Sequence, residues 1–232
     1  MDILFNADDF GLTKSVTDGI VEAHLNGVVS STTLMMNAKA TEYAVTMAQQ
    51  TPSLHVGIHL VLTWGKPLRN DLPGLTNHNG EFKYSKHFLK ETITDLHAVK
   101  AEWQTQIEAF LKTGLPLHHI DSHHHIHGWE PLKPIILELA HMYQVPVRYT
   151  PSLHTASDIL LTAQLYTNFY GDGVDLDIFE KIRQIHTPSI EVMTHPGYVD
   201  QDLVAASSYQ HMRENELEAL CHLKCPDWAT II

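Results

Sequence analysis

The chain has 232 residues, 44% of them hydrophobic, and a formal net charge of −12 with histidine neutral. That length supports one sizeable core, and the acidic balance excludes a nucleic-acid or anionic-membrane partner, because both need clustered Lys and Arg to displace counterions. Asp2 stands where a secretory leader needs basic residues and no apolar run reaches the roughly 20 residues of a membrane helix. Cys221 and Cys225 read as reduced thiols, so a cytoplasmic protein is expected.

Strand-like and helix-like segments alternate along the chain. Ile3 to Asn6 reads as the first strand, followed by a helix from Thr13 to Asn26 that buries Val16, Ile20, Ala23 and Leu25 and is capped by Gly27. A second strand is predicted over Val28 to Met36, a helix over Thr41 to Gln50 and a third strand over His55 to Leu62. Thr63 to Phe82 carries Gly65, Pro67, Pro73, Gly74, Asn77, Asn79 and Gly80, which predicts a long loop of the kind that often serves function. The stripe Ile93, Leu96, Val99, Trp103, Ile107, Phe110 and Leu111 predicts the longest helix over Lys90 to Lys112. His119 to Ser122 and Pro146 to Tyr149 read as short strands on either side of a helix over Pro131 to Met142. Helices over Thr155 to Tyr170 and Asp175 to His186, a strand over Ile190 to Thr194, a helix over Tyr209 to Leu223 and a strand starting at Thr230 complete the series. No repeat, low-complexity tract or linker interrupts it, so residues 1–232 are expected to form one α/β domain.

Polar residues recur where the apolar runs end: Asp8 and Asp9, His59, Asp121 with His123 to His125, Arg148, and His195. In a parallel βα barrel the strand ends open on one face, so these distant residues converge there. Two adjacent carboxylates after a buried strand repel unless a cation or hydrogen bonds compensate them, although either acid alone also reads as a helix cap. Histidine is over-represented, with 18 against 15 Lys and Arg together, and four stand in His123-His124-His125-Ile126-His127. Imidazole is the commonest protein ligand for transition metals, yet four in five positions cannot all reach one ion. Some of them therefore orient partners, touch substrate or face solvent, and Asp121 suits a supporting acceptor. The pattern points to a metal-dependent hydrolase that holds its ion through one carboxylate and two imidazoles.

These residues lie in segments that resemble the YdjC-type carbohydrate deacetylases, also described as chitooligosaccharide deacetylases. The resemblance is carried by Asn6-Ala7-Asp8-Asp9-Phe10-Gly11, Ser30-Ser31-Thr32-Thr33, Gly57-Ile58-His59-Leu60, the loop from Gly65 to Leu75, Asp121 to His127, and Glu191-Val192-Met193-Thr194-His195-Pro196. It implies a distorted (β/α) barrel of the glycoside hydrolase and deacetylase type, with about seven strands. It further implies Asp9, His59 and His123 as metal ligands, Asp8 as general base and His195 near the leaving group, with Arg148 against the base. Magnesium is the ion that the resemblance implies, whereas the ligand types suit Zn2+, Mn2+, Co2+ or Fe2+ better.

The implied reaction is removal of an N-acetyl group from an amino sugar, either a chitooligosaccharide or an acetylated disaccharide, with or without a phosphate. Trp64, Trp129 and Tyr198 are sugar-stacking candidates, His125 and His127 are candidates for substrate or supporting contacts, and Lys14, Lys66 and Arg69 for phosphate. A homodimer is expected from the resemblance. Two alternatives stay open: another barrel metal hydrolase such as a phosphoesterase, and a non-catalytic metal or sugar binder.

Overall fold

A computed structural model describes residues 1–232. The strands are β1 (Asp2–Phe10), β2 (Ser31–Leu34), β3 (His55–Leu60), β4 (Ile120–Ser122), β5 (Gln164–Tyr166), β6 (Ser189–Thr194) and β7 (Thr230–Ile231). The helices are α1 (Lys14–Leu25), α2 (Thr41–Gln50), α3 (Leu96–Leu111), α4 (Lys133–Tyr143), α5 (Ile178–Arg183), α6 (Gln201–Ala206) and α7 (Met212–His222). All strand pairs are parallel, in the order β4-β3-β2-β1-β6-β5, with β7 added beside the start of β1. Ile232 N–H donates to Ile3 O and Ser30 N–H to Phe5 O, so β7 and β2 share one flank of β1.

Beyond β4 the sheet curls back on itself through single-residue bridges, Ile120 to Val147 and Val147 to Leu160. Leu160 lies just ahead of β5, which pairs with β6, so the curl returns toward the far edge of the sheet. This is the distorted (β/α) barrel, seven strands included. A cluster of 52 buried apolar residues packs between sheet and helices. The strand ends on one rim are tied together by polar side chains instead.

Several local expectations are corrected. Thr155 to Tyr170 is not a helix: β5 occupies its end, and Val147 exchanges hydrogen bonds with Ile159 and Leu161. The bonds that extend the barrel outweigh helical spacing, as tertiary pairing commonly outweighs local propensity. Pro146 to Tyr149 contributes two single-residue bridges through Val147 and not a strand. The longest helix starts at Leu96, because Asp95 accepts from Ala98 N–H and caps it there. Gly27 is not the left-handed cap of α1, which ends on Asn26 with ordinary backbone angles. A Cβ on Gly27 would instead lie 2.6 Å from Leu220 O, so glycine lets α7 approach α1 closely. Helix α6 is an element that the apolar spacing does not reveal.

Candidate metal centre and active site

β1 runs through the Asp pair instead of ending before it. In a regular strand Asp8 and Asp9 would face opposite ways. Here the β1–β2 register shifts between Ala7 and Phe10, and Asp9 takes φ 69°, in the left-handed region. This irregularity turns both carboxylates toward the same rim, and His124 (φ 57°) and His125 (φ 55°) carry the same backbone signature in the histidine segment. Non-glycine residues held there are uncommon and cluster at functional sites.

Asp9 Oδ1 lies 3.5 Å from His59 Nε2 and 3.0 Å from His123 Nδ1, and the two nitrogens are 3.3 Å apart. Asp9 Oδ1 is buried and has no hydrogen-bond partner. One carboxylate oxygen and two imidazole nitrogens thus face a common point, which is the donor set of a divalent metal with open positions. Two of the three donors are held from behind. His59 Nδ1 pairs with Asp121 Oδ1 at 2.7 Å, and Thr33 Oγ1 donates to Asp121 Oδ2 at 2.9 Å, the carboxylate–histidine arrangement found behind metal ligands. Asp9 Oδ2 accepts from Arg213 Nη2 at 2.6 Å.

Asp8 belongs to a second buried network. Arg148 forks onto it, with Nη1 to Oδ2 at 2.7 Å and Nη2 to Oδ1 at 2.5 Å, and Asn6 Nδ2 donates to Oδ1 at 2.9 Å. Arg148 also pairs with Asp121 at 2.9 Å and with Glu191 through Nε at 2.8 Å. His195 Nε2 stands 3.9 Å from Asp8 Oδ2, and its backbone N–H donates to Glu216, which also accepts from Tyr209 OH.

Asp8, Asp9, Asp121, Glu191 and Glu216 are all buried, against two buried guanidiniums, Arg148 and Arg213. Burial raises Glu191 to about 7 and Glu216 to about 8. Burial would raise Asp8 and Asp9 too, but Arg148 and Arg213 respectively hold them well below the usual carboxylate range. His59, which burial alone would lower, is pushed up to about 10 by Asp121, Asp9 and Asp8. The excess negative charge that draws a proton to His59 equally favours a cation at that point. His195 is lowered to about 4 by burial, against the pull of Asp8 and Asp9, and is neutral at pH 7.

These groups line a cavity of about 550 Å³ that includes Asp8, Asp9, His59, His123, His125 and His195, with Trp64, Tyr170, Tyr209 and Arg213 as further walls. Asp121, Arg148 and His127 do not line it; Asp121 and Arg148 hold His59 and Asp8, which do. His127 sits beneath, sharing a 2.6 Å contact with Ser122 Oγ and a 3.3 Å contact with the Arg148 carbonyl. Trp64 faces the cavity, whereas Trp129 is buried against Tyr84 and Phe88, and Tyr198 lies outside. Arg69 is paired with Asp71, Lys14 lines a neighbouring hollow beyond Trp64, and Lys86 is the lysine that reaches the main cavity.

Tyr170, Tyr209, Arg213 and Glu216 are the site residues that sequence reasoning missed. A signal for two of them exists: Arg213, Glu216, Leu217 and Leu220 form the buried stripe of α7, so two charged residues occupy positions where a helix normally puts apolar ones.

The fold and site define a parallel barrel whose carboxyl rim gathers an Asp-His-His group that could hold a metal ion. The YdjC-like protein model matches residues 2–230, and the chain belongs to that family. It is 50% identical over 228 residues to a carbohydrate deacetylase of Oceanobacillus iheyensis, covering 98% of this chain and 99% of that one. It is 41% identical to a carbohydrate deacetylase of Halalkalibacterium halodurans over the full length of both. A crystal structure from Enterococcus faecalis, provisionally named a cellobiose-phosphate cleavage protein, superposes with a TM-score of 0.88 at 32% identity, covering 95% of this chain and 90% of that one. No helix is long and apolar enough to cross a membrane.

Proposed function

We propose that this protein is a metal-dependent carbohydrate deacetylase that hydrolyses the N-acetyl group of an amino sugar and releases acetate. The observation that carries the reading is Asp9 Oδ1, buried without a hydrogen-bond partner between His59 Nε2 and His123 Nδ1. The curated relatives named carbohydrate deacetylase support the substrate class. Asp9, His59 and His123 would hold the ion, which when bound supplies a Lewis acid for the acyl oxygen and makes water more acidic. Magnesium follows from the family resemblance, while two imidazoles favour zinc, manganese, cobalt or iron.

In this reading Asp8 accepts the proton of the attacking water. Arg148 and Asn6 fix both of its oxygens and keep it ionised, so it is oriented and charged before substrate arrives. As the water oxygen bonds to the acyl carbon and the C–N bond breaks, the departing nitrogen needs a proton. His195, neutral at rest and 3.9 Å from Asp8, is placed to receive that proton and pass it on. Trp64 and Tyr170, the latter stacked on Tyr209 with centroids 4.0 Å apart, supply aromatic faces for sugar rings. A chitooligosaccharide or acetylated disaccharide, with or without a phosphate, suits the cavity, and the working form is a cytoplasmic homodimer.

The test is acetate release from N,N′-diacetylchitobiose and its phosphate ester after exhaustive chelation and stepwise return of single ions. Activity is expected to vanish and return with the ion. Unchanged acetate release from the chelated protein would overturn metal dependence, and release of no acetate from any acetylated sugar under any ion would overturn the deacetylase reading.

A further inference from the structure

The end of the barrel opposite this site carries a second histidine group. His55 opens β3, and His118 lies beside it two residues before β4, with its N–H bonded to Val56 O. His55 Nδ1 and His118 Nε2 are 3.0 Å apart, while the ring centroids are only 4.5 Å apart and the planes are inclined by 50°. That centroid distance is shorter than a straight nitrogen-to-nitrogen contact would give, so the ring axes are bent toward each other, as two imidazoles sharing one ion require. Two ligands at the usual zinc–imidazole length of about 2.0–2.1 Å and separated by this distance subtend an angle of roughly 90° to 100° at the ion. That angle fits copper or nickel directly, and zinc after a small opening.

The pair is built from behind. His118 Nδ1 meets His119 Nδ1 at 2.9 Å, which leaves Nε2 as the nitrogen facing His55. His119 is fully buried, its Nε2 has no hydrogen-bond partner, and a Cβ on Gly57 would lie 2.6 Å from its Nδ1. Gly57 therefore makes the room in which His119 stands, and His119 orients His118. In front of the pair lies a cavity of about 580 Å³ bordered by Gln49 and Gln144, open for water or a further ligand. Burial lowers His118 to about 4, so its imidazole is neutral at pH 7, the form that binds metals.

We infer that His55 and His118 form a second metal site, for a borderline transition ion such as Zn2+, Ni2+ or Cu2+, which pins the entrance of β3 to the chain leading into β4. It is separate from the Asp9-His59-His123 centre and does not depend on the reaction assigned there.

Equilibrium dialysis of the full-length protein against Zn2+ and Ni2+, followed by metal analysis, tests this. The wild-type chain is expected to retain two equivalents, Asp9→Asn one, and His55→Gln and His118→Gln one each, with acetate release by the two histidine variants within about twofold of wild type. His55 is exposed, so His55→Gln leaves the fold intact even if His118→Gln disturbs it. As an independent readout, the ring-nitrogen NMR signals of His55 and His118 are expected to shift on adding Zn2+ to Asp9→Asn protein. Retention of the second equivalent by His55→Gln, or a single equivalent in wild type that only Asp9→Asn removes, would overturn the inference.

Discussion

Arg213 Nη2 donates to Asp9 Oδ2 across 2.6 Å, joining residues 204 positions apart. The bond occupies one carboxylate oxygen and leaves the other, Oδ1, facing His59 and His123. Arg213 thereby sets both the rotamer of Asp9 and the number of oxygens it can offer. Replacing Arg213 by Met is expected to weaken metal binding by about 10- to 100-fold, the usual consequence of losing a residue that orients a ligand. Arg213→Lys should recover part of it; calorimetric metal titration of the two variants reads the difference.

Asp8→Asn keeps the shape of the side chain and removes its basicity. Turnover is expected to fall by about 10² to 10⁴, the contribution of a general base, while metal content stays at the wild-type level. Steady-state acetate release together with metal analysis separates this from a loss of the ion. Near-normal turnover with full metal content would remove Asp8 from the mechanism.

Arg148→Met is predicted to act on stability more than on chemistry. It would leave Asp8, Asp121 and Glu191 buried without their shared cation. Removing one partner of a buried ion pair costs about 3–5 kcal/mol, and urea unfolding of the metal-free protein should show a loss of at least that size.

The pH dependence follows from the direction of each shift. His195 and His127 are lowered to about 4 and about 3 and are neutral in the fold. Their stabilising contribution is complete above the unfolded value of about 6.5 and is lost as pH falls toward the folded values. His59 has the opposite sign, since its contribution is complete below about 6.5 and lost as pH rises toward its folded value. His119 and His125 are also lowered by burial, so more histidines lose than gain. Glu191 and Glu216, raised by burial to about 7 and about 8, share the sign of His59, but the four lowered histidines outnumber these three groups. The melting temperature of the metal-free protein should therefore drop from about pH 6 downward, as the unfolded chain takes up histidine protons below about 6.5. Because His59 is raised to about 10, metal binding at pH 7 must displace its proton. Calorimetry in buffers of different ionisation enthalpy should show release of about one proton, and the affinity should rise roughly tenfold per pH unit from pH 6 to 8.

Much of this site was legible in the sequence because a parallel barrel sends every strand end to one rim. Asp8, Asp9, His59, Asp121, Arg148 and His195 each follow or end an apolar run, and each stands at that rim. The strand and helix order was readable for the same reason, with Thr41 to Gln50 matching α2 at both ends. What could not be read depends on long-range contact. The turn of Asp9 into the left-handed region is a backbone event with no residue signature, since an Asp pair after an apolar run reads equally well as a helix cap. Residues 155–170 carry helix-compatible spacing, and only the neighbouring Val147 and β6 show that they belong to the sheet. Arg213 and Glu216 sit on a mostly polar helix, and their burial becomes visible only when the buried stripe with Leu217 and Leu220 is counted through the charges.

One ion shared by Asp9, His59 and His123 is the central requirement of the proposed reaction. Anomalous diffraction from crystals loaded with Mn2+ or Zn2+ measures it directly. A peak is predicted within about 2.0–2.3 Å of Asp9 Oδ1, His59 Nε2 and His123 Nδ1, and it should be absent from Asp9→Ala crystals. Catalytically active, metal-loaded crystals with no anomalous density at that point would contradict it.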